Sequence, residues 1–373
     1  MIWYVSGTRA DYGLMRAVLQ AIDRHPDLRL GILVTGMHLE PAYGKTVDEI
    51  AADGFDIVAK FPSGEGTSGG AEMARGISRM ISGFTDAMER GRPDIVLLLG
   101  DRGEMLAGAI AAIHLDLPIV HIHGGERSGT VDEPIRHAIS KLAHYHFAAT
   151  EESAERLRRM GEHADAVLTV GAPGLVGLGD AVMRSKNELA AEVGFDPSRP
   201  IALFAYHAVL QEAYMAGTIA GAILESLVAR GFQTIALKPN SDSGGDRIRT
   251  ELDARTGQPG LVVKTHLTRS LFINWMAVVD LMIGNSSSGI IEAATFGTPV
   301  INVGPRQNLR QRNGNVIDAA STPEAIDAAI ATVASGTRFP TANIYGDGAS
   351  DERIAALLAT LPLQGVTWKS NAY

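Results

Sequence analysis

The clearest phosphate-binding mark in the sequence is the turn Gly284-Asn285-Ser286-Ser287-Ser288-Gly289. It follows an apolar run over 278–283 and precedes a helical pattern over 290–296. Small hydroxyl residues at a helix start expose backbone N–H groups, and the helix dipole adds partial positive charge there. Ordinary N-capping needs one serine, not three between glycines. Ser286, Ser287 and Ser288 are therefore expected to bind phosphate. Glu292, one turn on, is spaced to accept from ribose hydroxyls; a solvated helix charge is its bland alternative. In the first half, Gly7-Thr8-Arg9-Ala10-Asp11 is the matching turn. Arg9 suits a bidentate grip on a diphosphate, and Asp11 suits an N-cap. The spacing is not GxGxxG, so a nicotinamide or flavin cofactor is not supported.

A second group of residues suits proton transfer. Asp101 and Glu126 each follow an apolar run inside small or glycyl turns, where no packing reason requires an acid, and Asp132 follows nearby. Acids sharing one mouth are driven to different protonation states by mutual repulsion and desolvation. That is the equipment for taking a proton from carbon or activating water. Capping and surface charge are the alternative for each acid alone.

Histidines cluster at His121, His123, His137, His144 and His146. His121 and His123 are spaced like a metal pair but lack a carboxylate at metal spacing, so no metal is expected. His123 is expected to hydrogen-bond a substrate or a carboxylate, and His121 to be structural. His207 follows the run 201–206 and is placed either to donate to a leaving phosphate or to turn the chain. Arg306, Gln307 and Arg310 either close over a nucleotide or lie on the surface. The stretch from Lys238 through Asn240 and Asp242 either contacts a sugar or only turns the chain.

These residues need a scaffold that brings turns together. Apolar runs at 2–5, 30–34, 95–99 and 119–122 alternate with amphipathic stretches at 12–22, 104–114 and 133–142. The rhythm restarts with runs at 201–205, 234–237, 261–263, 278–283 and 300–303, and ends on a helical pattern at 351–361. Such alternation predicts α/β architecture with parallel sheets. Ligands of these sheets sit beyond the carboxyl ends of the strands, where the marked turns lie. Glycine and turn formers place a connection at 173–199 between a first domain, 1–172, and a second, 200–350; the helix of 351–373 follows, with the first domain as its expected packing partner. Residues 63–70 read as a long Gly/Ser-rich loop.

Composition removes whole classes of function. The chain has 373 residues, enough for two cores, and no cysteine, which excludes disulfides, thiolate catalysis and cysteine-held metals. A net charge of -9 argues against a general nucleic-acid binder. No apolar run approaches a membrane span, and the first residues read as a strand rather than a signal peptide, so a cytoplasmic location is expected.

At these residues the chain resembles the hydrolysing UDP-N-acetylglucosamine 2-epimerase family. The matching stretches run from Gly7-Thr8-Arg9-Ala10-Asp11-Tyr12 through Gly100-Asp101-Arg102, His123-Gly124-Gly125-Glu126 and Ser128-Gly129-Thr130-Val131-Asp132. They continue through Pro239-Asn240-Ser241-Asp242, the serine turn and Arg306-Gln307 to Ile344-Tyr345-Gly346-Asp347-Gly348. The resemblance implies two Rossmann-like domains facing a cleft, as in glycosyltransferase-B enzymes, and no cofactor. It implies elimination of UDP to a glycal, then hydration to a free 2-epimerised sugar, N-acetylmannosamine, for sialic-acid synthesis. Asp101, Glu126, Asp132 and His207 would be catalytic. Arg9, Asp11, Arg102, His123, Asn240, Asp242, the three serines, Glu292 and Arg306 would bind the UDP-sugar. A homodimer or homotetramer is expected. Some relatives take a UDP- or GDP-linked 2,4-diacetamido-trideoxy sugar, which is the alternative substrate; a non-hydrolysing epimerase, a glycosyltransferase and a sensor without turnover are the competing activities. Two departures stand out: the family has proline where this chain has Ala208, and an apolar residue and glycine where it has Asn308-Leu309.

Overall fold

A computed structural model describes residues 1–41, 44–63, 70–129, 132–239, 244–333, 336–363 and 368–373. The first half runs β1 (Ile2–Ser6), α1 (Arg9–Arg24), β2 (Leu30–Thr35), α2 (Val47–Ala52), β3 (Ile57–Phe61), α3 (Gly70–Gly91), β4 (Ile95–Leu99) and α4 (Gly103–His114). It continues with β5 (Ile119–Ile122), α5 (Asp132–Leu142), β6 (Tyr145–Ala148), α6 (Glu151–Arg159) and β7 (Val167–Thr169). A connecting helix, α7 (Lys186–Val193), leads to β8 (Ile201–Ala205), α8 (Ala216–Ala229), β9 (Gln233–Leu237), α9 (Gly245–Ala254), β10 (Leu261–Lys264) and α10 (Arg269–Val278). The remainder is β11 (Leu281–Gly284), α11 (Ser287–Ile291), β12 (Val300–Val303), β13 (Val316–Ala319), α12 (Pro323–Ala331) and α13 (Ser350–Thr360).

The strands form two sheets, ordered β3-β2-β1-β4-β5-β6-β7 and β10-β9-β8-β11-β12-β13. The pairings of β1 with β2 and β4, and of β8 with β9 and β11, are parallel. The central strands β1 and β8 pack both faces, as a covered parallel sheet requires. Ile2 and Tyr4 of β1 join one core with α1, whereas Trp3 and Val5 join the other with α3 and α4. Ala202 and Phe204 likewise face α8, while Ile201, Leu203 and Ala205 face Trp275 and Met276 of α10. Leu189 and Ala190 of α7 belong to this last core. After the second sheet the chain returns, and α13 packs Ile354, Ala355 and Leu358 into the core of α1. Among the described residues no helix is long and apolar enough to cross a membrane.

Each sheet reverses strand order at one place, between β1 and β4 and between β8 and β11. There the helices leave on opposite faces and open a crevice. The turns after β1, β4, β8 and β11 are those singled out from residue type.

Three local expectations need correction. The run 278–283 is not one strand: α10 extends to Val278, and β11 starts at Leu281. Buried Asp280 sits between, accepting Ile201 N–H at 2.8 Å and pairing with Lys186 at 2.8 Å. The helix expected over 290–296 breaks at Glu292 and continues as a tighter 3-10 turn over Ala293–Phe296. Asp11 is not an N-cap; Thr8 is, and Asp11 sits three residues later as the reciprocal half of a capping box.

Candidate active site

The two domains enclose a cavity of about 630 Å³, inside the roughly 300–1,000 Å³ range of small-ligand sites. It is lined from the first domain by the turns after β1, β4 and β5, and from the second by those after β8, β9, β11 and β12. Among the described lining residues are seven Arg and Lys side chains against four carboxylates. The cavity thus reverses the sign of a chain whose net charge is -9, which suits an anionic ligand.

Of the residues expected from sequence, Arg9, Asp11, Asp101, Arg102, His123, Glu126, His207, Ser286, Ser287 and Arg306 line this cavity. Asp132, at the first turn of α5, stands at its edge, 3.8 Å from Arg306. Ser288 hydrogen-bonds Ser286 between hydroxyls at 2.7 Å. Asn240 and Asp242 lie outside the described residues. Glu292 is buried behind Ile291 and ion-paired with Arg269, which also donates to Gly174 O at 2.9 Å. Its carboxylate is thus engaged at the domain junction and does not line the cavity.

Asp11 reaches the cavity, but its oxygens are already occupied. They accept from Ser6 Oγ at 2.5 Å, Thr8 N at 2.6 Å, Thr8 Oγ1 at 2.9 Å and Gly7 N at 3.1 Å. This fixes the turn that presents Arg9. Arg9 is half-buried, and the desolvation disfavours its charge, which Glu49 partly offsets. Among the described residues no ion pair to Arg9 is closed within 4 Å, and Arg9 lines the cavity.

The carboxylates form a wall in which each acid meets an arginine. Asp101, just past β4, pairs with Arg136 of α5, whose guanidinium is buried and also donates to Glu126 O at 3.0 Å. Glu126 pairs with His123 and with Arg310. Asp132 faces Arg306. A carboxylate only accepts, so His123 Nδ1 must carry the hydrogen it gives Glu126 Oε1. Glu126 Oε2 faces Arg310 as an ion pair, without a well-aligned hydrogen bond, so one acceptor position is left for another donor. Burial pushes the Glu126 carboxyl up; Arg310, then His123, outweigh it and hold it at about 2.

His123 has φ +63, the left-handed region that costs most side chains energy. It leaves the strand there, so it does not share a face with His121. His121 donates Nε2–H to Gly100 O at 2.7 Å and meets Ser140 Oγ at 3.0 Å. Burial pushes its imidazole down to about 3, so it stays neutral and holds the turn before Asp101.

Opposite stands the serine turn. Gly284 has φ +141, and a Cβ there would lie 2.1 Å from Ala205 O, so only glycine lets β11 end this close to β8. α11 has five residues, so few peptide dipoles align, and an anion there would meet mainly backbone and hydroxyl donors. Asn285 is the hub of this wall. Its side chain accepts from His207 N and donates to His207 O, both at 2.8 Å. Its carbonyl accepts from Arg306 Nη1 and Gln307 Nε2, both at 3.2 Å. His207 is therefore positioned without proline at 208.

Arg136, Asn285, Arg269 and the role of Arg310 were not legible from residue type. Arg136 lies four residues after Asp132 on one helix, yet it serves Asp101. Only the fold makes that pairing.

The comparisons with known proteins fit this geometry. The model of the UDP-N-acetylglucosamine 2-epimerase family matches residues 20–359. The chain is 48% identical over its full length, and 99% of the relative's, to a UDP-N,N'-diacetylbacillosamine 2-epimerase (hydrolyzing) of Legionella pneumophila. It is 33% identical to a UDP-N-acetylglucosamine 2-epimerase of Neisseria meningitidis, covering 95% of this chain and 93% of that one. Among solved structures, a Neisseria meningitidis UDP-GlcNAc 2-epimerase bound to UDP-GlcNAc superposes with TM-score 0.81 at 19% identity, covering 96% of this chain and 99% of that one. A Methanocaldococcus jannaschii UDP-GlcNAc 2-epimerase in complex with UDP-GlcNAc and UDP gives TM-score 0.77 at 18% identity, with 96% and 99% covered. The chain belongs to the UDP-N-acetylglucosamine 2-epimerase family.

Proposed function

We propose that this family member is a hydrolysing 2-epimerase whose substrate is a UDP-linked 2,4-diacetamido-2,4,6-trideoxy sugar. The observation that carries the substrate is the 48% identity along the whole chain to an enzyme named for UDP-N,N'-diacetylbacillosamine. UDP-N-acetylglucosamine, named for a relative at 33% identity, is the second reading.

The division of the cavity supports the chemistry. The diphosphate docks on Ser286, Ser287 and Arg9, with Arg306 and His207 supporting its departure. The sugar then lies against Asp101 and Glu126. A carboxylate takes the C2 proton, the electron pair forms the C1–C2 double bond, and the C1–O bond breaks to release UDP. The C2 proton is weakly acidic, so the step needs a desolvated base and charge stabilisation at the leaving group. Water then adds to C1 while a proton returns to C2 on the other face, giving the free sugar with C2 inverted. Asp132, the most exposed of the three acids, suits delivery of that water.

The test is incubation with each UDP-sugar in deuterium oxide, followed by NMR. Free UDP and a C2-deuterated free sugar from the diacetamido substrate are expected, with much slower release from UDP-N-acetylglucosamine. The opposite preference reverses the substrate assignment. A C2-inverted sugar still carrying UDP sinks the hydrolytic reading.

A further inference from the structure

Arg310 belongs to the second domain, yet its guanidinium ends among the first domain's carboxylates. Nη1 pairs with Glu126 Oε2, and Nη2 lies 4.0 Å from Asp101. The loop that carries it is tied to the first domain at other points. Gly129 N donates to Arg306 O at 3.2 Å, and Thr150 Oγ1 donates to Gln311 Oε1 at 2.6 Å. Gly129 approaches Pro305 so closely that a Cβ would sit 1.9 Å from its carbonyl oxygen.

The other groups around Glu126 do not replace Arg310. His123, just past β5, gives one ring hydrogen. His121 is kept neutral by burial. Arg136 of α5 meets the backbone carbonyl of Glu126 and spends its charge on Asp101. Asp101 past β4 adds negative charge, and Tyr345, facing from the chain that precedes α13, is held protonated by burial. Arg310 is thus the full positive charge aimed at a carboxylate that is 2% exposed.

We infer that Arg310 is a positioning residue that reaches across the cleft to hold Glu126 as an oriented anion in a water-excluded site. A competent base then exists only when the two domains are together. The inference rests on the reading of Glu126 as an acid/base group. A buried carboxyl without a partner is raised by up to about 3–5 units, which leaves it mostly protonated at neutral pH. Pairing also lowers its intrinsic basicity, so what Arg310 secures is the charged and oriented form rather than a stronger base. Without Arg310 the closed site keeps the desolvation and loses the largest compensation, with the His123 hydrogen bond remaining, so Glu126 ionises only at higher pH.

The test compares wild type, Arg310→Gln and Arg310→Lys by the pH dependence of kcat/KM, together with 13C NMR titration of labelled Glu δ-carboxyls assigned with Glu126→Gln. In R310Q the Glu126 resonance and the acid limb should both move up by about two units or more. Activity should fall at pH 7 and recover much of the loss by pH 9. R310K, which keeps the charge, should hold the acid limb near that of wild type. A pH-independent loss with an unmoved Glu126 resonance overturns the inference. A shifted resonance with an unmoved acid limb keeps the pairing but removes Glu126 from the chemistry, and with it the acid/base reading above. Should R310Q fail to fold, Gln311→Ala loosens the same loop while leaving Arg310 in place; it should shift both readouts in the same direction by less, and no shift counts against the inference.

Discussion

Replacing Asn285 by Ala tests whether one buried amide sets the position of His207 and, through it, the proposed support of the leaving group. The substitution removes two 2.8 Å hydrogen bonds and strands a backbone donor and acceptor of residue 207. A buried unsatisfied polar group costs about 1–3 kcal/mol, and partial access to water at His207 favours the lower half for each. The sum is about 2–4 kcal/mol, or a fall in Tm of roughly 4–16 °C for a domain of this size. The second effect is kinetic, since a displacement near 1 Å costs about a hundredfold in rate. Calorimetry reads the first effect and initial-rate UDP release the second. Asn285→Asp keeps the acceptor for His207 N and loses the donor to His207 O, so it should fall between wild type and N285A in stability. The interactions of Arg306 and Gln307 use the Asn285 carbonyl, which alanine retains. The double variant with His207→Ala decides the mechanism: if Asn285 acts through His207, it turns over no more slowly than H207A alone. Multiplicative losses, or a lower Tm with unchanged kcat, would refute the reasoning.

Four further outcomes are expected. Ser287→Ala should weaken UDP binding by about 1 kcal/mol, near fivefold by calorimetric titration, with a smaller effect on kcat. Asp101→Asn should cut turnover by about 10²–10⁴-fold while UDP affinity stays close to wild type; the reverse pattern in these two variants would invert the division of the cleft. Gly129→Ala should force the Pro305 carbonyl aside and lower kcat/KM, whereas Gly179→Ala, with nothing within 4 Å of its added carbon, should not. Glu162 is buried among His146, Lys141 and Lys369; burial pushes its carboxyl up, and these partners outweigh it and hold it at about 2. A lowered carboxyl contributes stability above its ordinary value of 4.5 that is lost as pH falls toward about 2. Urea denaturation of Glu162→Gln should therefore lose less stability than wild type over that window, and parallel losses would count against the assignment.

What could be read without coordinates follows from where information is local. β1 and β4 announce themselves because an apolar run meets a glycyl turn, and β8 because turn formers at 196–200 precede its apolar run. β6 is harder to see because buried His146 within it and His144 just before it give the stretch a polar look. β3, β7 and β13 are edge strands of three to five residues, too short for a pattern to register. The boundary between α10 and β11 is blurred because Ala277-Val278-Val279 is apolar across it, and periodicity cannot divide such a run. Asp101 and Glu126 stood out because acids at strand ends are unusual there. Their guanidinium partners did not, since pairing between Arg310 and Glu126 is a property of two domains meeting and leaves no trace in spacing.

The return of α13 to the first domain has a consequence for biosynthesis. The core around α1 includes Ile354, Ala355 and Leu358, and Tyr145 donates to Pro362 O at 2.7 Å. Near the chain's far end, Ala372 N donates to Gly161 O at 2.8 Å, and Lys369 meets Glu162. On the ribosome, then, the domain translated first cannot be the domain finished first. The second sheet has its α8-facing core within 202–333 and is ready to close as soon as that stretch emerges. The first sheet must wait with an apolar seam on α1 uncovered until α13 emerges. Vectorial synthesis and structural completion thus run in opposite order.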